Sequence, residues 1–144
     1  MKAQRFVIAT LVGAVAVLAS GYFVFAIPPF RDFYAYAMNA GGATGVARDP
    51  ELLWAVTLGA LSYSALVTLA IGSRANPVRP WSGIKIGAMV GFLLWFTADF
   101  IFYGISNVGT LMTTAVEPLL ELVPGAVAGG AITVVLGRTQ SHRR

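Results

Sequence analysis

The sequence predicts an all-α membrane protein, a four-transmembrane-helix bundle with both termini on the cytoplasmic side. Three observations favour this fold. Of the 144 residues, 57% are hydrophobic and only 11% are charged, whereas a soluble domain carries about 25% charged residues. Four apolar segments reach the roughly 20 residues that a spanning helix needs. Lys and Arg are divided unevenly between the links that join these segments, as in membrane proteins with a fixed orientation.

The composition also limits the domain organisation and the kinds of site. So few charges exclude an ordinary soluble enzyme, and so high a hydrophobic content excludes a disordered chain. A chain of this length holds about four or five spans at most, so residues 1–144 are expected to form a single integral-membrane domain. The sequence contains no Cys, which excludes disulfides and thiolate chemistry.

Four segments are expected to cross the bilayer as helices, because in lipid every backbone polar group must be satisfied within the protein. These segments are Phe6–Ile27, Leu52–Gly72, Ile86–Tyr103 and Ala115–Leu136. The first of them follows Lys2 and Arg5, as the core of a secretory signal would. Its apolar run is longer than the ~7–15 residues typical of such a signal, so an uncleaved span is favoured.

The basic residues predict the orientation. Eight of the ten lie on the side of the two termini, and only Arg31 and Arg48 lie on the other side. By the positive-inside rule, both termini are therefore expected in the cytoplasm. The basic tail is expected to face anionic lipid. No nucleic-acid partner is predicted, because no groove-reading motif accompanies the tail.

The link after the first span is expected to contain a short helix at the outer membrane interface. Pro28 and Pro29 end or kink the span. Apolar residues then recur with helical spacing at Phe30, Phe33, Tyr34 and Ala37. Gly41 and Gly42 would stop this helix. Its aromatic rings suit a membrane-surface anchor, and a lid over a substrate is the alternative.

Capping residues and tryptophans mark the ends of the spans. Asp49 suits the N-cap of the second span, Pro50 its first helical position, and Glu51 the positive end of its dipole. These residues are therefore assigned to capping and not to chemistry. Tryptophan favours the membrane–water interface. Three are expected as interfacial anchors: Trp54, Trp81 and Trp95.

Three acidic residues lie inside the predicted spans, where ionisable side chains are costly and are functional candidates by default. They are Asp99, Glu117 and Glu121. The last two spans form a hairpin with Val108 near its midpoint, so Asp99 and Glu117 should lie nearly level. Glu121 should lie one turn deeper, about 6 Å. Together with Tyr103, these residues are expected to form a polar cluster in the outer half of the bundle.

Ion handling and structural bracing both remain open for this cluster. Two ionised carboxylates one helical turn apart repel each other, which a cation or an arginine relieves. Arg31 and Arg48 are the natural partners, as the only basic residues of the outer side. Alternatively, Thr114 and Glu117 match a capping box. Asp99 could then brace the hairpin through a hydrogen bond to Ser106, Asn107 or Tyr103.

Glycine patterns predict close packing of the third and fourth spans, because small residues let membrane helices approach each other. The glycines concerned are Gly83, Gly87, Gly91, Gly125 and Gly129. Pro118 and Pro124 are expected to kink the fourth helix, since neither has a backbone donor. Such a kink can open a cavity but is also common in inert spans.

Residues for several familiar chemistries are missing from the sequence. His142 is the only histidine and lies in the tail, so haem ligation and histidine metal sites are not expected within the membrane. No Ser or Thr has a histidine base, and no phosphate-binding glycine loop is present. No cofactor, no metal and no enzymatic activity are predicted.

A resemblance covers most of the chain. It lies in Ala43–Val46 with Leu52–Trp54, Leu58–Gly59, Gly87–Phe92, Asp99–Asn107 and Ala126–Gly130. On these stretches, of which Asp99–Asn107 is the most specific, the chain resembles a family of uncharacterised bacterial four-helix inner-membrane proteins. The family pattern has Asp-type acids near Glu117 and lacks Pro118, so the chain departs from it there. The resemblance implies the fold, the topology and a bacterial inner-membrane location, and it implies no activity.

Two functions from different classes remain open. The favoured one is a non-catalytic packing or accessory subunit that assembles with itself or with a larger membrane-protein complex. It rests on the glycine patterns, the short links and the lack of catalytic groups. The alternative is a cation- or proton-coupled transporter or channel that uses the outer carboxylate cluster. Four short helices enclose little volume, so such a path would need an oligomer.

Overall fold

The computed structural model describes residues 2–40, 52–74, 79–106 and 108–141. This part of the chain forms six helices and no strand. They are α1 (Ala3–Ala26), α2 (Pro28–Ala40), α3 (Leu53–Gly72), α4 (Pro80–Ile105), α5 (Leu111–Leu120) and α6 (Leu122–Ser141). Among the described residues, four stretches are long and apolar enough to cross a membrane: α1, α3, α4, and Leu111–Gly137 across α5 and α6. The predicted all-α fold with four spanning stretches is confirmed.

Prolines fix two of the helix boundaries. Ile27 and Arg79 both have extended backbones, with ψ of 122° and 148°, because the residue before a proline is pushed out of the helical region. Pro28 and Pro80 then begin α2 and α4, as expected at the first helical position. The third span therefore starts six residues before the predicted Ile86. The prediction followed the uncharged run alone, whereas a helix in a membrane can also carry a basic residue in its first turns.

The prediction of Asp49 as the N-cap of the second span is wrong. α3 begins at Leu53, and its N-cap is Leu52, whose side chain makes no capping hydrogen bond. Asp49, Pro50 and Glu51 lie outside the described residues. The same holds for the other predicted features of this link, namely Gly41, Gly42 and Arg48.

The capping box of the fourth span lies one turn earlier than predicted. Thr110 is the N-cap: the Thr113 N–H donates to the Thr110 Oγ1 at 3.2 Å, and the Thr110 N–H donates to the Thr113 Oγ1 at 3.0 Å. The box of Thr114 and Glu117 is therefore wrong. The Thr113 hydroxyl accepts the bond that the Glu of a standard capping box would accept. Glu117 lies in the second turn of α5, beyond the capping positions.

The spans alternate in direction, so the bundle has two ends. The basal end is formed by the start of α1, the end of α3, the start of α4 and the end of α6. The apical end is formed by the opposite ends of these helices. α4 packs mainly against α6, α1 packs against α6 and α3, and α2 contacts α1 and α5. Buried hydrophobic residues of α1, α3 and α6 form the core: Ala9, Tyr63, Val67, Ile71, Ala128 and Ile132.

α4 packs against the bundle mainly through glycine, with Ile86 and Val90 partly buried against the core. Its buried residues are Gly83, Gly87 and Gly91. Only 11% of its most apolar stretch is buried, against 39% for the span made of α5 and α6. Most of the remaining surface of α4 is apolar and exposed, which suits contact with lipid.

Candidate functional site

The fourth span breaks at Glu121, between α5 and α6. The cause is local: Pro124 has no backbone N–H, so the Leu120 carbonyl cannot receive its helical hydrogen bond. The Glu121 N–H still donates to the Glu117 carbonyl at 3.1 Å, and the Gly125 N–H donates to the Glu121 carbonyl at 3.2 Å. The break is therefore short, and a backbone hydrogen bond on each side of it stabilises it. It places a carboxylic acid at the irregular point of a spanning segment.

Glu121 is buried at this break, with 7% of its surface exposed. Its carbonyl oxygen lies against Gly91 of α4, at the position a Cβ of Gly91 would fill. Gly91 lies near the middle of α4, so Glu121 lies near the middle of the bundle. Glu121 is thereby placed about midway along the spanning helices, where burying a charge is costly.

Tyr63 of α3 completes the centre, and sequence reasoning did not single it out. It is 7% exposed, and its hydroxyl lies against both Gly91 and Gly125. This hydroxyl is buried and has no hydrogen-bond partner among the described residues. Glu121 acts on it electrostatically. A buried polar group is normally paired, so this unpaired hydroxyl is a group with unused bonding capacity beside the acid.

Asp99 and Glu117 both lie within Coulombic range of Glu121. The Oδ2 atom of Asp99 is buried and has no hydrogen-bond partner in the described part of the chain. The three acids thus form one electrostatic group, which we call the acidic centre and which includes the hydroxyl of Tyr63.

Among the described residues, the structure shows no hydrogen bond between Asp99 and Ser106. The Ser106 Oγ donates to the Phe102 carbonyl at 2.8 Å, which satisfies it within its own helix end. Tyr103 is 43% exposed, and its predicted membership of the cluster stays a prediction. Asn107 lies outside the described residues. Asp99 therefore keeps a carboxylate oxygen that no described residue uses.

Arg31 does not serve as the predicted partner of the acids. Its guanidinium pairs with the adjacent Asp32, with 3.0 Å between Nη2 and Oδ1. Both side chains are exposed on α2, at 63% and 67%. Neighbouring residues on an exposed helix start pair more readily than residues on different helices, because little chain entropy is lost. The second predicted partner, Arg48, lies outside the described residues.

The glycines singled out by the sequence lie at the contact between α4 and α6. A Cβ on Gly87 would meet the Gly125 carbonyl oxygen, and one on Gly129 would meet the Gly83 carbonyl oxygen. The two backbones therefore approach closely enough that no larger side chain fits. The Thr133 Oγ1 occupies the remaining space beside Gly83 and donates to the Gly129 carbonyl at 2.7 Å.

The three tryptophans lie at different depths. Trp54 is exposed in the first turn of α3, and Trp81 is exposed in the first turn of α4. Trp95 is half-buried further along α4. The first two lie at opposite ends of the bundle, where interfacial anchors belong.

The acidic centre is not arranged as a chelating site. Among the described residues, no group of three His, Cys, Asp or Glu side chains comes close enough to hold a metal ion. A single buried carboxyl group with an unpaired hydroxyl beside it can instead bind a proton, which needs only one oxygen. The chemistry that these residues offer is proton uptake and release.

Comparisons with known proteins add no assignment. A scan against protein-family models, a search of curated proteins and a search of solved structures each found no match. The chemistry of this chain therefore has to be inferred from its own buried residues.

Proposed function

We propose that the protein conducts protons across the membrane, with Glu121 as the group that takes up and releases the proton. The observation that carries the proposal is the position of Glu121, a buried acid at a break in a spanning helix. Ionisable residues at such depth are costly and mark proton or ion pathways. Tyr63 is the partner that would donate a hydrogen bond to the charged form of the acid.

The pattern of unused bonds supports this proposal over a purely structural role. A brace would have its polar groups paired, since an unpaired buried group costs about 1–3 kcal/mol. The hydroxyl of Tyr63 and one oxygen of Asp99 are buried and unpaired within the described chain. Groups with unused hydrogen-bonding capacity suit a site that receives a proton or a water molecule during proton transfer.

A proton would have a short path between the apical end and Glu121. Asp99 and Glu117 lie apical to Glu121 along their helices, so they offer acidic stepping points from the apical end to the centre. The basal half is filled by the core and by the glycine contact. Four helices packed this closely enclose little volume, so we propose that a homo-oligomer supplies the rest of the path.

A second candidate function is that of an accessory subunit, and one observation favours it. α4 is the least buried span and carries a row of stacked rings, with centroids 5.5 Å apart for Phe92 and Phe96 and 4.4 Å apart for Phe96 and Phe100. Such a row on an outer face can pack against a partner helix as well as against lipid. Measuring the mass of the gently extracted assembly distinguishes a homo-oligomer from a complex with another protein.

The proposal also includes a cellular location and an orientation in the membrane. We propose a bacterial inner-membrane protein with both termini in the cytoplasm, because basic residues gather at the basal end. α2 would then lie at the outer interface. No enzymatic activity, cofactor or nucleic-acid partner forms part of the proposal.

Proton movement by protein in liposomes tests the proposal. A pH-sensitive dye inside the vesicles follows proton entry driven by an imposed membrane potential. The wild type should acidify the lumen, and Glu121→Gln should fall to the level of empty vesicles while it remains folded by circular dichroism. Asp32→Asn is the matched control, since it removes an exposed carboxylate outside the centre. No flux by the wild type, or equal flux by Glu121→Gln, would refute it.

A further inference from the structure

A groove lies at the basal end of the bundle, between the end of α3 and the start of α4. It has a volume of about 390 Å³ and is open to the surroundings. Its lining residues are Ala70, Arg74, Lys85, Ile86, Met89 and Val90. None of its lining residues belongs to the acidic centre, so the groove requires an explanation of its own.

The groove is charged at one end and apolar at the other. Arg74 follows the end of α3, and Ala70 lies one turn deeper. Lys85 lies in the second turn of α4, and Met89 lies one turn deeper. Two cations from different helices thus line the same groove near the helix ends, and uncharged side chains continue the groove towards the middle of the bundle.

No acid of this chain is available nearby to neutralise the two cations. The sequence has no Asp or Glu between Glu51 and Asp99, and neither Arg74 nor Lys85 has a carboxylate partner among the described residues. Lys85 instead lies over the ring of Trp81, with 5.4 Å between Nζ and the ring centroid. This contact holds the ammonium group at the groove and leaves its charge uncompensated.

We propose that this groove binds one anionic phospholipid, with the phosphate on Arg74 and Lys85 and the upper part of an acyl chain along Met89 and Val90. Basic pockets between membrane helices on the cytoplasmic side suit such headgroups. A second copy of this chain fits less well, because it would bring a further pair of cations and no basal acid. The proposal does not depend on proton transport.

Retention of defined lipids by the purified protein tests the proposal. The protein is delipidated, incubated with equal amounts of dioleoyl phosphatidylglycerol and dioleoyl phosphatidylcholine, and measured by native mass spectrometry. The wild type should retain phosphatidylglycerol preferentially, with one molecule held per chain. The double variant Arg74→Gln/Lys85→Gln should lose the preference, with affinity reduced by roughly 25-fold, since a basic residue near the surface is worth about a fivefold factor.

Two further variants separate a site from general surface charge. Arg79→Gln removes an exposed cation from the same link that does not line the groove, and it should leave retention unchanged. Met89→Trp fills the apolar part without changing charge and should reduce retention. Equal loss in Arg79→Gln, equal retention of the two lipids by the wild type, or unchanged binding by Met89→Trp would each overturn the proposal.

Discussion

The hydroxyl of Tyr63 is buried between α4 and α6 without a hydrogen-bond partner among the described residues. One residue further along α3, the Ser64 Oγ donates to the Thr10 carbonyl at 2.7 Å. These neighbours in sequence thus have opposite energetic roles. The serine stabilises the contact between α1 and α3, whereas the unpaired tyrosine hydroxyl costs stability.

Removing each hydroxyl should separate these roles. Tyr63→Phe should leave the free energy of unfolding unchanged or raise it by about 1 kcal/mol, because it removes an unpaired buried group. Ser64→Ala should lower it by about 1 kcal/mol, because it removes a formed hydrogen bond. Unfolding in increasing denaturing detergent measures both. If Tyr63→Phe is the more destabilising of the two, the hydroxyl has a structural partner and the acidic centre is misinterpreted.

The residues of the acidic centre differ in how far the sequence predicts them. Glu121 is predictable, because a charge within an apolar run is conspicuous. Tyr63 is not, because a tyrosine in a span is ordinary and its neighbours Gly91 and Gly125 lie on other helices. Tyr103 is included because it lies one turn after Asp99, and with 43% of its surface exposed its membership stays a prediction. The sequence shows which residues are polar, and packing between helices decides which of them meet.

At the scale of elements, the contact between α4 and α6 depends on glycine. A Cβ on Gly87 would collide with the Gly125 carbonyl and with the Gly129 backbone. Backbone atoms on a packed helix cannot move aside as a flexible side chain can. The spacing of these glycines is visible in the sequence, which is why this contact is predictable. The starts of α4 and α5 are harder to predict from the sequence. Pro80 and Thr110 determine them through local backbone geometry and capping, which a hydropathy pattern does not show.

Alanine at two glycines should have opposite effects. Gly87→Ala should destabilise the bundle by about 1–3 kcal/mol, because overpacking forces two backbones apart. Gly59→Ala, on α3, has nothing within 4 Å of the added Cβ and should be neutral or stabilising by up to about 1 kcal/mol, through helix propensity. Thermal unfolding in the same detergent measures both. Equal effects would mean that α4 and α6 do not pack through glycine.

At the scale of the whole molecule, basic residues set the predicted orientation. The number of spans follows from composition and segment length, so the sequence predicts it well. The division of the fourth span into α5 and α6 also has a visible cause in Pro124. Residues 41–51, between α2 and α3, lie outside the described residues, so the predicted role of Arg48 as a charge partner stays a prediction.

Single cysteines test the orientation, since the native chain has none. Asp32→Cys on α2 should react with a membrane-impermeant maleimide added to intact cells. Ser73→Cys, exposed at the basal end, should react only after the cells are opened, because eight of ten basic residues lie on that side. Labelling of Ser73→Cys and not Asp32→Cys in intact cells would invert the topology.

The protonation of Glu121 inside the folded bundle is the central claim, and infrared difference spectroscopy measures it directly. Reconstituted protein is titrated with acid, and the stretching band of a protonated buried carboxyl group is recorded. We predict that lowering the pH produces this band in the wild type and in Asp32→Asn, and that Glu121→Gln shows a weaker band because the contribution of that carboxyl group is lost. An identical band in Glu121→Gln, or a wild-type spectrum that does not change with pH, would contradict the account.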